Sequence, residues 1–152
     1  MRVAVLLAVA LPLAAADLWL KTIAATPPWA YHERSAGWIL LCLTLLPVLL
    51  LVTRVPSALV PPAAGLLAAG VLGNVMSAAW NDLYVPNPIV VQGERGFLAF
   101  NLADVFAVVG IVLLFGAIAA WLVRNRSLLP EPREALVRVT KPRSRSDRRP
   151  PA

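Results

Sequence analysis

Cysteine and histidine are almost missing from the sequence, and this excludes several classes of active site. Cys42 is the single cysteine and His32 the single histidine among 152 residues. One cysteine allows neither an internal disulfide nor a cysteine metal cluster, and one histidine does not make a zinc site. The sequence also has no Ser–His–Asp set and no glycine-rich phosphate loop. The chemistry that remains is that of carboxylates, and we expect neither a metal nor a cofactor.

Charged residues are scarce as well, and their scarcity indicates a membrane protein. They make up 14% of the chain, whereas 59% of the residues are hydrophobic and the mean hydropathy is +0.74. Soluble globular domains are about 25% charged and about 45–50% apolar. We therefore expect the core to form by packing of helices within lipid rather than by collapse in water.

The apolar residues are concentrated in four blocks, each long enough or nearly long enough to cross a bilayer as a helix. About 20 apolar residues span the hydrocarbon core, and a spanning segment must satisfy its own backbone groups. The blocks are 3–20, 37–53, 58–80 and 97–123. They predict an all-α membrane protein, with a four-helix transmembrane bundle in residues 1–123. The connection 81–96 contains the strand-like piece PIVVQGERG and predicts a small extracytoplasmic hairpin.

Positive charge is concentrated in the C-terminal tail, and this sets the predicted orientation. Nine of the fourteen Lys and Arg residues lie in 124–149, together with only three acids. The positive-inside rule then places both termini and Arg54 in the cytoplasm. The tail, 124–152, ends without an apolar face and is predicted to be disordered. Its basic residues are expected to contact anionic membrane lipids, and no nucleic-acid partner is expected.

The N-terminal block permits a second interpretation. Arg2, the apolar run and the small residues of LAAAD resemble a cleavable signal peptide. Cleavage would leave three spans, with the new N-terminus outside and the basic tail inside. We favour a retained first helix, because the segment DLWLK at the end of this block carries a more specific pattern.

Polar side chains occur at the predicted outer ends of three of the four blocks. Asp17 and Lys21 end the first block four residues apart, so they share a helix face and can form an ion pair. Asn74 lies near the end of the third block, where a hydrogen bond between packed helices would account for it. Asn101 and Asp104 lie three apart at the start of the fourth block. An N-cap role suits Asn101, whereas an ionisable residue inside a span, such as Asp104, indicates a functional site.

Four short motifs, in this order, resemble those of the lipoprotein signal peptidases, the type II signal peptidase family. They are DLWLK (17–21), GN (73–74), VPN (85–87) and FNLAD (100–104). The resemblance covers about residues 3–123 and implies four transmembrane helices with both ends in the cytoplasm, in a bacterial-type cell membrane. It also implies an aspartic endopeptidase that removes the signal peptide of a prolipoprotein before its lipid-modified cysteine.

The resemblance assigns catalysis to two aspartates, of which this sequence retains one. Asp104 occupies the position of one aspartate, and Asn87, 17 residues earlier, occupies the position of the other. Asp82 is the candidate substitute, because it lies in the same connection as Asn87. The residues that the resemblance implies for substrate binding are Asp17, Lys21, Asn74 and Asn101.

The replacement by Asn87 bears directly on the chemistry. Two carboxylates of an aspartic pair share one proton, because neighbouring like charges cannot both ionise cheaply. An amide donates a hydrogen bond but cannot accept a proton, so Asn87 cannot be half of such a pair. Two functions remain: a signal peptidase II with an altered pair, or a non-catalytic relative that binds transmembrane or lipidated segments without cutting them. A membrane anchor for the basic tail is a more distant third.

Overall fold

Four helices and two small antiparallel sheets make up the part of the chain that the structure describes. The structure is a computed structural model, and it describes residues 1–94 and 96–128. The helices are α1 (Arg2–Ile23), α2 (Ala36–Val52), α3 (Val60–Trp80) and α4 (Leu102–Arg124). The strands are β1 (Tyr31–Glu33), β2 (Tyr84–Pro86), β3 (Ile89–Gly93) and β4 (Gly96–Phe100). Residues Met1–Trp121 form one compact unit, and a second unit begins at Leu122.

Three of the described helices, α1, α3 and α4, are long and apolar enough to cross a membrane, judged by length and composition. Helix α2 is apolar but has only 17 residues. At 1.5 Å per residue it is about 25 Å long, which is at the short end of the spanning range. The predicted fold class, an all-α membrane protein with a small extra element, is confirmed. The chain is a multi-pass membrane protein, while four spans and cytoplasmic termini stay predictions.

Helix α3 is the central helix, because its small residues let two other helices approach closely. In its most apolar stretch 67% of the residues are buried, against 22% in α1 and 17% in α4. A Cβ added at Gly65 would lie 2.6 Å from the carbonyl oxygen of Leu6 in α1. A Cβ added at Gly70 would collide with the carbonyl oxygen of Ala103 in α4. Small residues of α3 therefore form its contact surfaces with both helices.

The fourth helix begins later than predicted. The predicted span 97–123 included residues that belong to β4, and α4 begins at Leu102. Strand β4 pairs with β3, with Ile89 opposite Phe100 at the open end. The small extra element is therefore a hairpin, as predicted, but its second strand extends beyond the predicted segment 81–96. Apolar composition does not distinguish a hairpin strand from the first turn of a span. The helix starts after Asn101, whose side chain accepts a hydrogen bond from the backbone of Asp104.

A second small sheet joins the first loop to the segment that follows α3. Strands β1 and β2 pair antiparallel, with His32 opposite Val85. Beside this pairing, the backbone N–H of Arg34 donates to the carbonyl oxygen of Leu83 at 2.8 Å. Leu83 has φ 72°, a left-handed conformation that is unfavourable for a residue with a Cβ. The turn after α3 is therefore held against the first loop by several backbone contacts.

The predicted tail, 124–152, lies almost wholly outside the described residues. Helix α4 ends at Arg124, and a short 3₁₀ turn, Arg126–Leu128, follows it. The disorder of the tail, its contacts with lipid and the domain boundary at residue 123 therefore stay predictions.

Candidate functional site

The C-terminal end of α1 carries a buried ion pair that also reaches α3 and α4. Lys21 Nζ lies 2.7 Å from Asp17 Oδ2, and the Asp17 side chain is 0% exposed. Asp17 Oδ1 accepts a 2.8 Å hydrogen bond from the backbone N–H of Ala103 in the first turn of α4. Lys21 also donates to Asn74 Oδ1 in α3 at 2.9 Å. A buried ion pair needs additional hydrogen bonds to offset its desolvation, and both partners of this pair have them.

Asn101 and Asp104 form a reciprocal arrangement at the start of α4. Asn101 Oδ1 accepts from the Asp104 backbone N–H at 2.9 Å, and Asp104 Oδ2 accepts from the Asn101 backbone N–H at 3.2 Å. This is the geometry of a capping box, which satisfies two otherwise unpaired N–H groups of a helix terminus. Asp104 Oδ1 accepts from Asn74 Nδ2 at 2.8 Å. Asp104 therefore takes part in the cap as well as Asn101, and its side chain remains 31% exposed.

Asn87 is joined to Asp104 through Asn101. Asn87 Oδ1 accepts a 2.6 Å hydrogen bond from Asn101 Nδ2. Asn87 Nδ2 lies 2.9 Å from His32 Nδ1, which accepts this bond when the imidazole proton is on Nε2. Asn87 is 0% exposed. Its amide is thus buried and held at both ends.

Six of the seven site residues predicted from the sequence lie in one hydrogen-bonded network, called the polar cluster below. Its members are Asp17, Lys21, Asn74, Asn87, Asn101 and Asp104. The seventh, Asp82, is exposed in the turn after α3 and has φ 51°. Among the hydrogen bonds and ion pairs of the described residues, none joins Asp82 to the polar cluster. The functional roles of all seven residues stay predictions.

Two further residues contact the polar cluster and were missed by sequence reasoning. Arg34 Nη2 lies 3.9 Å from Asp104 Oδ1, and the Arg34 guanidinium lies 4.8 Å from the centroid of the Trp38 ring. His32 is the partner of Asn87 described above. Neither Arg34 nor His32 belongs to any of the four motifs, and their partners in the polar cluster, Asp104 and Asn87, are distant in the chain. No local pattern in the sequence indicates these contacts.

The polar cluster can supply carboxylate and amide chemistry, but it does not pair Asp104 with a second carboxylate. Its other acid, Asp17, is engaged by Lys21 and by the first turn of α4. The positive end of the α4 dipole favours both acids at this helix terminus. Within the described ranges, no group of three His, Cys, Asp or Glu side chains could hold a metal ion.

Comparisons with known proteins found a similar fold and a matching family. A solved structure titled as a bacterial membrane enzyme is similar in fold, with a TM-score of 0.56 and 18% identity over 83% of this chain and 92% of that chain. A comparison with curated proteins gave no match. The family described as signal peptidase (SPase) II matches residues 28–120, a range that contains Asn87 and Asp104 and begins after Lys21. This match covers more than half of the 152 residues of the chain, so the chain belongs to the signal peptidase II family.

Proposed function

We propose that this chain is a signal peptidase II-like membrane protein that binds the signal peptide of a lipid-modified prolipoprotein, or another transmembrane segment, without cleaving it. The observation that carries the proposal is the state of Asn87. At the position where an aspartic pair needs its second carboxylate, the chain has a buried amide. The oxygen of this amide bonds to Asn101 and its nitrogen to His32.

Hydrolysis by an aspartic pair needs one carboxylate that accepts a proton from water and one that donates a proton to the peptide carbonyl. Asp104 can fill one of these roles, because its side chain is partly exposed. Asn87 can donate a hydrogen bond but cannot transfer a proton. The chain therefore has half of the machinery for hydrolysis.

The arrangement of the polar cluster supports the binding half of the proposal. Lys21 and Asn74 tie α1, α3 and α4 together at the polar cluster, so Asp104 is held on a rigid framework. Val108 lies one turn beyond Asp104 on the same face of α4 and is exposed. A peptide segment that moves within the membrane can follow this apolar face to Asp104. The proposal places both termini in the cytoplasm of a bacterial-type cell membrane, with the polar cluster near the outer surface.

Expression in bacterial cells that lack their own lipoprotein signal peptidase tests the proposal. Prolipoprotein should remain unprocessed in the presence of the wild-type protein and should cross-link to it. Asn87→Asp restores a carboxylate beside Asn101, and we expect this variant to process part of the precursor. Asn81→Asp is the matched control, because Asn81 is exposed at the end of α3, and it should leave the precursor uncut.

Two outcomes would contradict the proposal in different ways. If the wild-type protein processes the precursor and Asp104→Ala abolishes this processing, the chain is an active peptidase. The Asp82→Ala variant would then decide whether Asp82 is the second acid. A wild-type protein that neither processes nor cross-links the precursor would contradict the binding half of the proposal.

A further inference from the structure

The backbone of Arg34 is fixed on both sides at the junction between β1 and α2. Its N–H donates to the carbonyl oxygen of Leu83 at 2.8 Å. The next residue, Ser35, caps α2 by accepting a 3.1 Å hydrogen bond from the Trp38 backbone N–H. The side chain of Arg34 therefore starts from a defined position beside the polar cluster.

The Arg34 side chain is held by stacking and charge rather than by hydrogen bonds. Its guanidinium lies 4.8 Å from the centroid of the Trp38 ring, within the range of a cation–π contact. Its Nη2 atom lies 3.9 Å from Asp104 Oδ1, which is longer than a hydrogen bond. Its Nε atom is buried and has no hydrogen-bond partner among the described residues. The side chain as a whole is 23% exposed.

This arrangement leaves donors available to a ligand. A guanidinium has five N–H groups in a planar fork, and a buried donor without an acceptor is unfavourable. Arg34 Nη2 lies 3.9 Å from Asp104 Oδ1, beyond hydrogen-bond distance, so Asp104 does not satisfy the fork of Arg34. An oxygen acceptor supplied by a bound molecule would do so.

The neighbouring carboxylate restricts what that molecule can be. An anionic ligand at Arg34 would be repelled by Asp104, which lies 3.9 Å away. A neutral group that offers one acceptor and one donor side by side is compatible with both residues. A residue of an extended peptide presents its C=O and N–H on the same edge, as it does in an antiparallel sheet.

We propose that Arg34 and Asp104 together hold the main chain of an extended peptide, with Arg34 donating to a peptide C=O and Asp104 accepting from the N–H of the same residue. This inference rests on the proposed function and adds a binding residue to it. The substrate segment that Arg34 and Asp104 bind is the extended stretch next to the membrane-embedded part of a signal peptide. Arg34 is a substrate-binding residue, and its contribution depends on peptide main-chain groups rather than on lipid.

Binding of a fluorescent probe to the full chain in lipid nanodiscs tests the inference. The probe is a synthetic signal-peptide segment that ends in a cysteine with an S-linked lipid bearing two acyl esters. Arg34→Gln should weaken binding by about tenfold or more, because a hydrogen bond from a charged donor is lost. Arg34→Lys keeps the charge without the planar fork and should recover only part of the affinity. Arg54→Gln, at an exposed arginine in the turn after α2, is the matched control and should bind as the wild type does.

A second probe, with ether-linked chains in place of the acyl esters, separates peptide from lipid as the partner of Arg34. The loss caused by Arg34→Gln should be the same for both probes. A loss that disappears with the ether-linked probe would assign Arg34 to the ester groups and overturn the inference. If Arg34→Gln and Arg34→Lys bind the probe as tightly as the wild type does, the inference about Arg34 is overturned and the proposed function is left intact. A wild-type protein that binds neither probe would overturn both.

Discussion

Replacing Gly73 by alanine should disrupt the polar cluster from within α3. A Cβ at this position would lie 2.6 Å from Asp17 Oδ2 and 3.1 Å from Ala103 Cβ. Asp17 cannot move freely, since its oxygens are engaged by Lys21 and by the backbone N–H of Ala103. The added methyl group therefore forces either α3 or the Asp17 side chain out of place.

The expected loss of stability is the balance of three effects. Overpacking a filled site costs about 1–3 kcal/mol. Leaving the buried N–H of Ala103 without its acceptor costs about 1–3 kcal/mol more. Alanine is favoured over glycine in a helix by about 1 kcal/mol. We therefore expect Gly73→Ala to lower the free energy of unfolding by about 1–5 kcal/mol.

Gly116→Ala is the matched control, because it makes the same change in a helix where, among the described residues, no heavy atom beyond the neighbouring helix backbone lies within 4 Å of the added Cβ. Only the helix preference acts there, so stability should be unchanged or rise by about 1 kcal/mol. Reversible unfolding in mixed detergent micelles with increasing SDS, followed by circular dichroism, measures both variants. Equal stabilities of the two variants would refute the tight contact between Gly73 and Asp17.

Two further predictions concern the cap of α4 and the orientation of the chain. Asn101→Ala removes the cap and leaves the oxygen of buried Asn87 unpaired, so it should destabilise by about 2–4 kcal/mol. Ser35→Ala, which removes the exposed cap of α2, should lose only about 1 kcal/mol in the same unfolding assay. Reporter fusions after residues 90 and 130 should report opposite sides of the membrane, because positive charge follows α4. If both reporters are on the same side of the membrane, the predicted orientation is wrong.

The helices could be predicted because an apolar block in lipid has few alternatives to a helix. Three blocks were placed to within a few residues, and the late start of α4 is the main departure. The four residues that follow Gly96 are as apolar as a span, but they pair with β3. The pairing of β1 with β2 was not predicted, because it joins segments more than 50 residues apart and neither strand has a strong period of its own.

Most members of the polar cluster could be predicted, but the hydrogen bonds and ion pairs that join them could not. Asp17 and Asn74 were identified because polar side chains are rare within spans. The sequence does not show that Asp17 satisfies the N-terminus of α4, since this contact joins residues 86 apart. In the sequence, Arg34 is only a charged residue of the first loop, because its relation to Asp104 and Trp38 exists only once β1, α2 and α4 have packed together.

The presence of Asp104 at the start of an apolar span does not require catalysis. Its carboxylate closes a capping box with Asn101 and accepts from Asn74, at the helix end where the dipole favours negative charge. Under the proposed function, the position that separates binding from hydrolysis is therefore that of Asn87. An amide has nearly the shape of a carboxylate and still accepts the 2.6 Å hydrogen bond from Asn101. Under the proposed function, an asparagine at this position removes proton transfer while the hydrogen bond to Asn101 and the rest of the polar cluster remain in place.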